Sequence, residues 1–322
     1  MEKDLEIGRC LSDDTRYADL INGLLFAGEQ RIQESDLQEV DSQSFLKRWS
    51  RKKSERYRPL RRDLIKKSAF GVNFALIGVE NQERVHYLMP LRTLEYDAAE
   101  YGKQAARIRK QVKLLKKKEA AEFLSGFSKE DKLYPCITIV LYYGDEWDGA
   151  KSLHDVIDFT GIPEELKKYV NDYPLHIFNV TKLENVDVFR TDLKQIFSFL
   201  KYAKDKSKLK ELISSDPAYQ ELDEEAYDMI AACTHAVRLI PIKKTYRKDG
   251  KVDMCQALEE MLADEREEGR EEGREEGREE TLLIIIRKKI DKNMTLDMIA
   301  DDLEEDIEVL RPFYEKVKAQ KD

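Results

Sequence analysis

The chain has 322 residues, enough for two or three domains, and 41% of its residues are hydrophobic while 38% are charged. This composition is typical of a globular protein with a heavily charged surface and excludes collagen-like and wholly disordered chains. The sequence contains no run of 18 apolar residues and begins with an acidic stretch unlike a signal peptide. We therefore expect a cytoplasmic protein with no membrane partner.

The formal net charge is −9 at pH 7, but the charges are segregated along the chain. Residues 47–67 contain eleven Lys or Arg and two acids, and residues 103–118 contain eight Lys or Arg and no acid. Residues 265–280, in contrast, contain nine Glu and four Arg. The two basic runs predict contacts to the phosphates of a polyanion, with a solvated surface as the alternative. The candidate nucleic-acid-binding residues are Arg51, Lys52, Lys53, Lys66, Lys67, Arg107 and Lys110.

The first predicted elements are a helix and a β-hairpin. Asp13 or Asp14 is expected to cap a helix with one apolar stripe, and Gly28 is expected to end it. Residues 64–70 and 73–79 predict two strands joined by a turn at Gly71. The second strand is almost entirely apolar, which is typical of a central strand covered on both faces.

A long helix is predicted to begin at Pro90, which suits the first turn of a helix. Its expected buried stripe has apolar residues at steps of three and four, and its opposite face carries the second basic run. The stripe consists of Leu91, Leu94, Ala98, Tyr101, Ala105, Ile108, Val112 and Leu115. Residues 134–143 and 175–180 predict two more strands, and strands separated by helices indicate an α/β layer.

The rest of the chain is predicted to be helical, with a break at Asp216-Pro217. Residues 265–280 repeat GREE and predict a solvated, partly helical linker, unless the glycine stripe lets a second copy approach. Thr295 is expected to cap the first of two C-terminal helices. Five consecutive apolar residues, 282–286, predict a homodimer through the C-terminal segment; the alternative is that they fold back onto the hairpin near Leu303 and Leu310.

Acidic residues at two points of the hairpin are the candidate metal ligands. Asp63 precedes the first strand, and Glu80-Asn81-Gln82 ends the second. The period of two places Glu80 and Gln82 on one face, and adjacent strands would bring Asp63 and Glu80 together. Carboxylate oxygens are the ligands that Mg²⁺ or Mn²⁺ prefers, although acids at strand ends are commonly just solvated. The histidines and cysteines show no spacing typical of a zinc site.

Several segments together resemble a known family. They are RDLIKK, FALIGVENQ, HYLMPLRTLEYDAAEYGKQ, YPCITIVLYYGDEWDG and the GREE tail. The chain resembles the Rpn family of recombination-promoting nucleases and transposase-like proteins, within the PD-(D/E)XK superfamily, over roughly residues 13–290. The resemblance implies Mg²⁺-dependent DNA hydrolysis, with Asp63 and Glu80 as metal ligands, Gln82 in the third catalytic position and Asp19 as a further acid.

Two residues depart from that pattern. Arg62 stands where proline is usual, and Gln82 stands where lysine is more common. A carboxamide can orient a water molecule or donate to a phosphate, but it cannot accept a proton at neutral pH, so activation of water would rest on the metal. Asp19 points away from the apolar stripe of its helix, which makes a solvated acid an equal alternative.

We therefore expect an α/β protein with a restriction-endonuclease-like core, in which helices flank a mixed sheet, and an α-helical C-terminal extension. The expected domains are a nuclease-like core at 1–185, a helical region at 186–255 and a charged helical tail at 256–322. The predicted function is a metal-dependent DNA endonuclease. The alternatives are a catalytically silent DNA-binding or self-assembling module of the same fold and an interaction scaffold whose tail is the functional part.

Overall fold

The computed structural model describes residues 3–40, 43–48, 56–61, 63–70, 73–112 and 125–319. The chain divides into two compact units, Met1–Gln256 and Ala257–Asp322. The first unit is an α/β fold, and the second is helical. Within the described ranges, no helix is long and apolar enough to cross a membrane.

The main strands are β1 (Leu37–Glu39), β2 (Gln43–Arg48), β3 (Arg56–Arg61), β4 (Leu64–Phe70), β5 (Asn73–Gln82), β6 (Cys136–Tyr142) and β7 (His176–Asn179). Three two-residue strands follow: β8 (Leu222–Asp223), β9 (Arg247–Lys248) and β10 (Lys251–Val252). The helices of the first unit are α1 (Lys3–Ser12), α2 (Asp14–Phe26), α3 (Met89–Val112), α4 (Glu164–Lys167), α5 (Leu193–Tyr202), α6 (Lys206–Ser215), α7 (Glu224–Cys233) and α8 (Leu239–Tyr246). They are followed by α9 (Met254–Ile290), α10 (Leu296–Leu303) and α11 (Ile307–Ala319). Short 3₁₀ turns lie at Glu34–Asp36, Leu153–Val156, Val180–Lys182 and Pro217–Glu221.

Five of the described strands form a central mixed sheet in the order β1-β4-β5-β6-β7, while β2 pairs with β3 and the three short strands form a small sheet in the order β8-β10-β9. β4 pairs antiparallel with β5, whereas β5 and β6 pair in parallel, as do β6 and β7. Strand β5 is central, and its residues 75–81 are all buried. The predicted hairpin and the strands after it are therefore confirmed, while the predicted turn at Gly71 lies outside the described residues.

The predicted first helix is also confirmed, as α2. The side chain of Asp13 accepts a hydrogen bond from the backbone N–H of Arg16 at 2.9 Å, so Asp13 is the capping residue. Ala27 ends the helix in the left-handed conformation with φ of 51°, and Gly28 follows with φ of 89°. Helix α1 was not predicted; it buries Ile7 and Leu11 and packs against α7.

The predicted buried stripe of α3 is wrong, although the helix itself is confirmed. Leu91 is 39% exposed, and Ala98 is also exposed. The α3 side chains that are buried include several polar ones: Thr93, Asp97, Glu100 and Gln104. The prediction from apolar spacing failed here because a polar helix face can also be buried against a sheet when its side chains form hydrogen bonds there.

Two of these polar groups show how α3 is fixed to the sheet. Thr138 Oγ1, on β6, donates to Asp97 Oδ1 at 2.8 Å, and the hydroxyl of Tyr173 donates to the other oxygen of Asp97. The side chain of Gln104 accepts from the backbone N–H of Tyr134 at 2.7 Å and donates to its carbonyl at 3.2 Å. These contacts fix the middle of α3 against β6, the segment before β6 and Tyr173.

The second unit has an apolar core of its own. Its buried members are Ile286, Ile299, Ala300, Leu310 and Val317, with Leu282 and Leu283 packed against them. The apolar run 282–286 thus folds back onto the helical hairpin of the same chain, which is the alternative that the sequence left open. Leu282, Leu283 and Ile286 of this run are thus covered within the unit, whereas Ile284 is 49% exposed, and the homodimer stays a prediction.

The GREE repeat is helical throughout and lies within α9. A Cβ atom added at Gly269, Gly273 or Gly277 would meet no atom within 4 Å. The repeat is therefore an exposed helical segment in the structure of this chain.

Thr295 caps α10 as predicted, because its side chain accepts a hydrogen bond from the backbone N–H of Met298.

Candidate active site

The end of β5 and the start of β4 bring two carboxylates together. Leu64 is opposite Val79 in the antiparallel register, so the preceding Asp63 lies opposite Glu80. The side chain of Asp63 accepts a hydrogen bond from the backbone N–H of Asn81 through Oδ2 at 2.7 Å. Asp63 is exposed, whereas Glu80 is completely buried. The strand register thus places Asp63 and Glu80 opposite each other, and the binding of one metal by both carboxylates stays a prediction.

A cation from α3 faces the buried carboxylate. Arg92 Nη2 lies 3.2 Å from Glu80 Oε2, and Arg92 Nε donates to the hydroxyl of Tyr96 at 2.8 Å. The guanidinium carbon also lies 5.5 Å from the centroid of the Tyr96 ring. An ionised buried carboxylate requires such a partner, because removing it from water without one costs several kcal/mol.

The electrostatics of the site keep both α3 side chains protonated. Burial opposes the charge on Arg92, but the charge of Glu80, the hydrogen bond to Tyr96 and the charge of Asp63 raise its pKa above the ordinary value. Burial raises the pKa of Tyr96, and the negative charges of Glu80 and Asp63 add to this effect. Arg92 is therefore a fixed cation, and Tyr96 is a neutral hydrogen-bond donor or acceptor.

Asn81 and Gln82 complete the strand end. The hydroxyl of Tyr143 donates to Asn81 Oδ1 at 3.2 Å, and burial raises the pKa of Tyr143 well above its usual value. Gln82 is partly exposed, and its Nε2 donates to the carbonyl of Asn81 at 2.8 Å. The Gln82 carboxamide lies on the same strand face as Glu80, where it can move to contact a ligand by rotating about its side-chain bonds.

The donor set of this site fits a hard divalent cation. Asp63 and Glu80 supply carboxylate oxygens, and Mg²⁺ is commonly bound by one or two carboxylates with water and phosphate oxygens completing its shell. Among the residues that the structure describes, no group of three or more His, Cys, Asp or Glu side chains forms a metal site. Two carboxylates supply only part of a Mg²⁺ shell, so water and phosphate oxygens would have to complete it.

Asp19, the further acid that the resemblance implied, is buried and hydrogen-bonded to the backbone. Its side chain is 3% exposed, so the alternative of a solvated acid is wrong. Its carboxylate accepts hydrogen bonds from the backbone N–H groups of Arg190 and Thr191 at 2.8–3.0 Å and from the Thr191 hydroxyl at 2.7 Å. Asp19 thus fastens α2 to the segment before α5, and we leave it out of the carboxylate pair.

The candidate basic residues differ in their surroundings. Arg51, Lys52 and Lys53 lie outside the described residues. Lys66 is 1% exposed and donates to the backbone carbonyl of Ser12 and to the carboxylate of Asp14, so its ammonium faces the protein. Lys67 is partly buried, with its ammonium 4.9 Å from the ring centroid of Tyr134, while Arg107 and Lys110 are exposed on α3.

Sequence reasoning missed Arg92 and Tyr96. Both belong to the segment MPLRTLEYD, but the helix and the strand were considered separately. A usable signal was their spacing of four residues, which places them on one helix face together with the polar residues Thr93 and Asp97. The start of α3 follows the end of β5 by six residues, so that face was bound to lie near Glu80.

The comparisons with known proteins add no name to this site. We found no family model, curated protein or solved structure that matches the chain. The class of protein is therefore defined by the fold and the site alone: an α/β protein with a carboxylate pair and an arginine at the end of its central strand.

Proposed function

We propose that this protein is a metal-dependent nuclease that hydrolyses DNA phosphodiester bonds with Mg²⁺ or Mn²⁺ as its cofactor. The observation that carries the proposal is the opposition of Asp63 and Glu80 across the β4-β5 pair. Within the same proposal, the first unit has the restriction-endonuclease-like PD-(D/E)XK fold, and the chain is related to the Rpn family of recombination-promoting nucleases. The segments quoted above and the mixed sheet support this relationship.

The residues present define what the chain would contribute to hydrolysis. Asp63 and Glu80 would hold the cation, which when bound polarises the phosphoryl group and lowers the pKa of a bound water. Gln82 would orient the attacking water through its amide. A bond forms from the water oxygen to phosphorus, the bond from phosphorus to one sugar oxygen breaks, and solvent accepts the water proton and protonates the departing oxygen.

DNA is the proposed partner because exposed basic side chains occur further along the helix that supplies Arg92. Arg107 and Lys110 lie on the α3 surface, on the helix that supplies Arg92. The run at Arg51, Lys52 and Lys53 belongs to the same proposal through its charge alone. Cationic side chains of this kind neutralise backbone phosphates without reading sequence.

The catalytically silent DNA-binding module remains a second candidate. It is favoured by two contacts: Arg92 already neutralises Glu80, and the Gln82 amide already donates to the backbone carbonyl of Asn81. Both candidates predict DNA binding. They differ in whether the bound DNA is cut.

The test is incubation of the purified full chain with supercoiled plasmid in Mg²⁺ and in EDTA. We expect nicking in Mg²⁺ only, and its loss in Asp63→Asn and in Glu80→Gln, which preserve side-chain volume. Glu29→Gln is the matched control, because Glu29 is an exposed acid in a surface ion pair with Arg31. DNA binding without nicking favours the silent module. Equal nicking by the parent and both site variants refutes the assignment of the site.

A further inference from the structure

The carboxylate pair needs a positive charge that the end of β5 does not supply. Glu80 is completely buried, and Gln82, two residues later on the same face, is neutral. Arg92 places a cation in contact with Glu80, with its Nη2 3.2 Å from Glu80 Oε2. We propose that Arg92 is a catalytic residue of this site, which balances Glu80 before the metal binds and contacts the scissile phosphate during hydrolysis. This inference rests on the proposed nuclease function.

The placement of Arg92 suits both contacts. It lies in the first turn of α3, and the Tyr96 hydroxyl holds its Nε at 2.8 Å. Its side chain is 33% exposed, and its Nη2 faces Glu80. A guanidinium carries five N–H donors in a planar fork that matches two oxygens of a phosphate.

Charge balance gives Arg92 a function that Gln82 cannot perform. With a divalent cation and a phosphodiester in place, the formal charges of Asp63, Glu80 and Arg92 bring the site to neutrality. The transition state adds one negative charge on the phosphoryl oxygens, which a fixed cation stabilises. Without Arg92, the site would be anionic before the reaction and more anionic during it.

The same geometry makes Arg92 and the metal compete for Glu80. Before the metal binds, the guanidinium neutralises the buried carboxylate. Removing the guanidinium should therefore tighten metal binding while it slows cleavage. A residue with only a structural role would not give these opposite changes, because loss of packing weakens binding and catalysis together.

The test compares Arg92→Gln with Arg31→Gln in the full chain. Arg31 pairs with Glu29 on the surface and is the matched control. Calorimetry without DNA should show that Arg92→Gln binds Mn²⁺ about tenfold more tightly than the parent, a change of about 1.4 kcal/mol. Single-turnover cleavage in Mg²⁺ should fall about 100-fold, the size expected for loss of one charged donor. Arg31→Gln should match the parent in both measurements.

A rescue variant guards against misfolding, since Arg92→Gln leaves Glu80 buried without its cation. Adding Gln82→Lys to Arg92→Gln places an ammonium on the same strand face as Glu80, and this double variant should recover cleavage to within about tenfold of the parent. Weaker Mn²⁺ binding by folded Arg92→Gln, undiminished cleavage, or no recovery in the double variant overturns the role of Arg92. Absence of cleavage by the parent instead refutes the proposed function, and the Mn²⁺ measurement then still tests the competition for Glu80.

Discussion

The two units of the chain bury different kinds of side chain. In Met1–Gln256, charged groups such as Arg16, Lys66 and Glu80 lie in the interior, each beside groups of opposite charge. In Ala257–Asp322, the buried side chains among the described residues are apolar, and the charges of the GREE repeat are exposed. The first unit thus depends on specific polar partners, whereas the second depends on amphipathic packing.

This difference indicates where chemistry can occur. Burying a charge lowers stability unless its partners are placed accurately, so buried ion pairs are weak evidence for stability and stronger evidence for a fixed electrostatic arrangement. The Glu80–Arg92 pair is such an arrangement at a strand end. The second unit follows the simplest helical pattern and contains no comparable group among its described residues.

Breaking the largest polar network should give the largest effect. Arg16 contacts Asp192 through Nε and Nη2 at 2.8 Å each, Glu225 at 2.7 Å and Asp223 at 3.2 Å. Arg16→Met should lower the free energy of unfolding of the first unit by about 3–5 kcal/mol, because it leaves acidic groups without their cation.

Urea unfolding followed by tryptophan fluorescence measures this change, since both tryptophans belong to the first unit. Arg31→Met is the control and should change stability by less than about 0.5 kcal/mol. A loss below about 1 kcal/mol in Arg16→Met would contradict the view that the first unit depends on its polar partners.

The helical unit should respond to loss of apolar volume. Ile286 is fully buried and Ile284 is 49% exposed, so they are matched residues two positions apart. Ile286→Ala should destabilise this unit by about 2–5 kcal/mol through the cavity that it leaves, and Ile284→Ala by less than about 0.5 kcal/mol. Hydrogen exchange of residues 296–319 in the full chain measures both, and equal exchange in the two variants would contradict the packing.

The hairpin, its central strand and the carboxylate pair could be predicted from the sequence, because they depend on local rules. The almost entirely apolar run at residues 73–79 predicts a central strand, and its antiparallel pairing with the adjacent strand places Asp63 opposite Glu80. The cap at Asp13 likewise depends on a few neighbouring residues.

The remaining features depend on contacts between distant segments. The polar face of α3 could not be recognised as buried, since its partners Thr138 and Tyr173 are far away in sequence. The burial of Asp19 depends on Arg190 and Thr191 in the same way. Apolar periodicity detects apolar burial, and it misses polar groups that tertiary hydrogen bonds satisfy.

The carboxamide beside the carboxylate pair should have a smaller effect. Gln82→Leu removes the hydrogen-bonding group and should lower the rate of cleavage about tenfold, the scale of one neutral hydrogen bond. Gln82→Lys should retain or raise the rate. Rates of plasmid nicking at saturating Mg²⁺ give both values; a leucine variant as active as the parent would mean that the residue is structural.

The exposed glycines should give the smallest effect. Gly273→Ala adds a methyl group where nothing lies within 4 Å and should stabilise α9 by roughly 0.5–1 kcal/mol, since alanine loses less backbone entropy in a helix. Circular dichroism during heating should show that the variant keeps its helicity at least as well as the parent does. If a second copy packs on the glycine stripe, the same variant should instead lose helicity and dissociate in light scattering.

The most direct measurement of the central claim is calorimetric titration of the full chain with Mn²⁺. We expect one binding site per chain that is retained in Glu29→Gln, because Glu29 is an exposed acid in a surface ion pair with Arg31. Binding should be lost in Asp63→Asn and in Glu80→Gln, since each removes one of two carboxylate ligands. Mn²⁺ binding of unchanged affinity in both variants would contradict a metal centre at the end of β5.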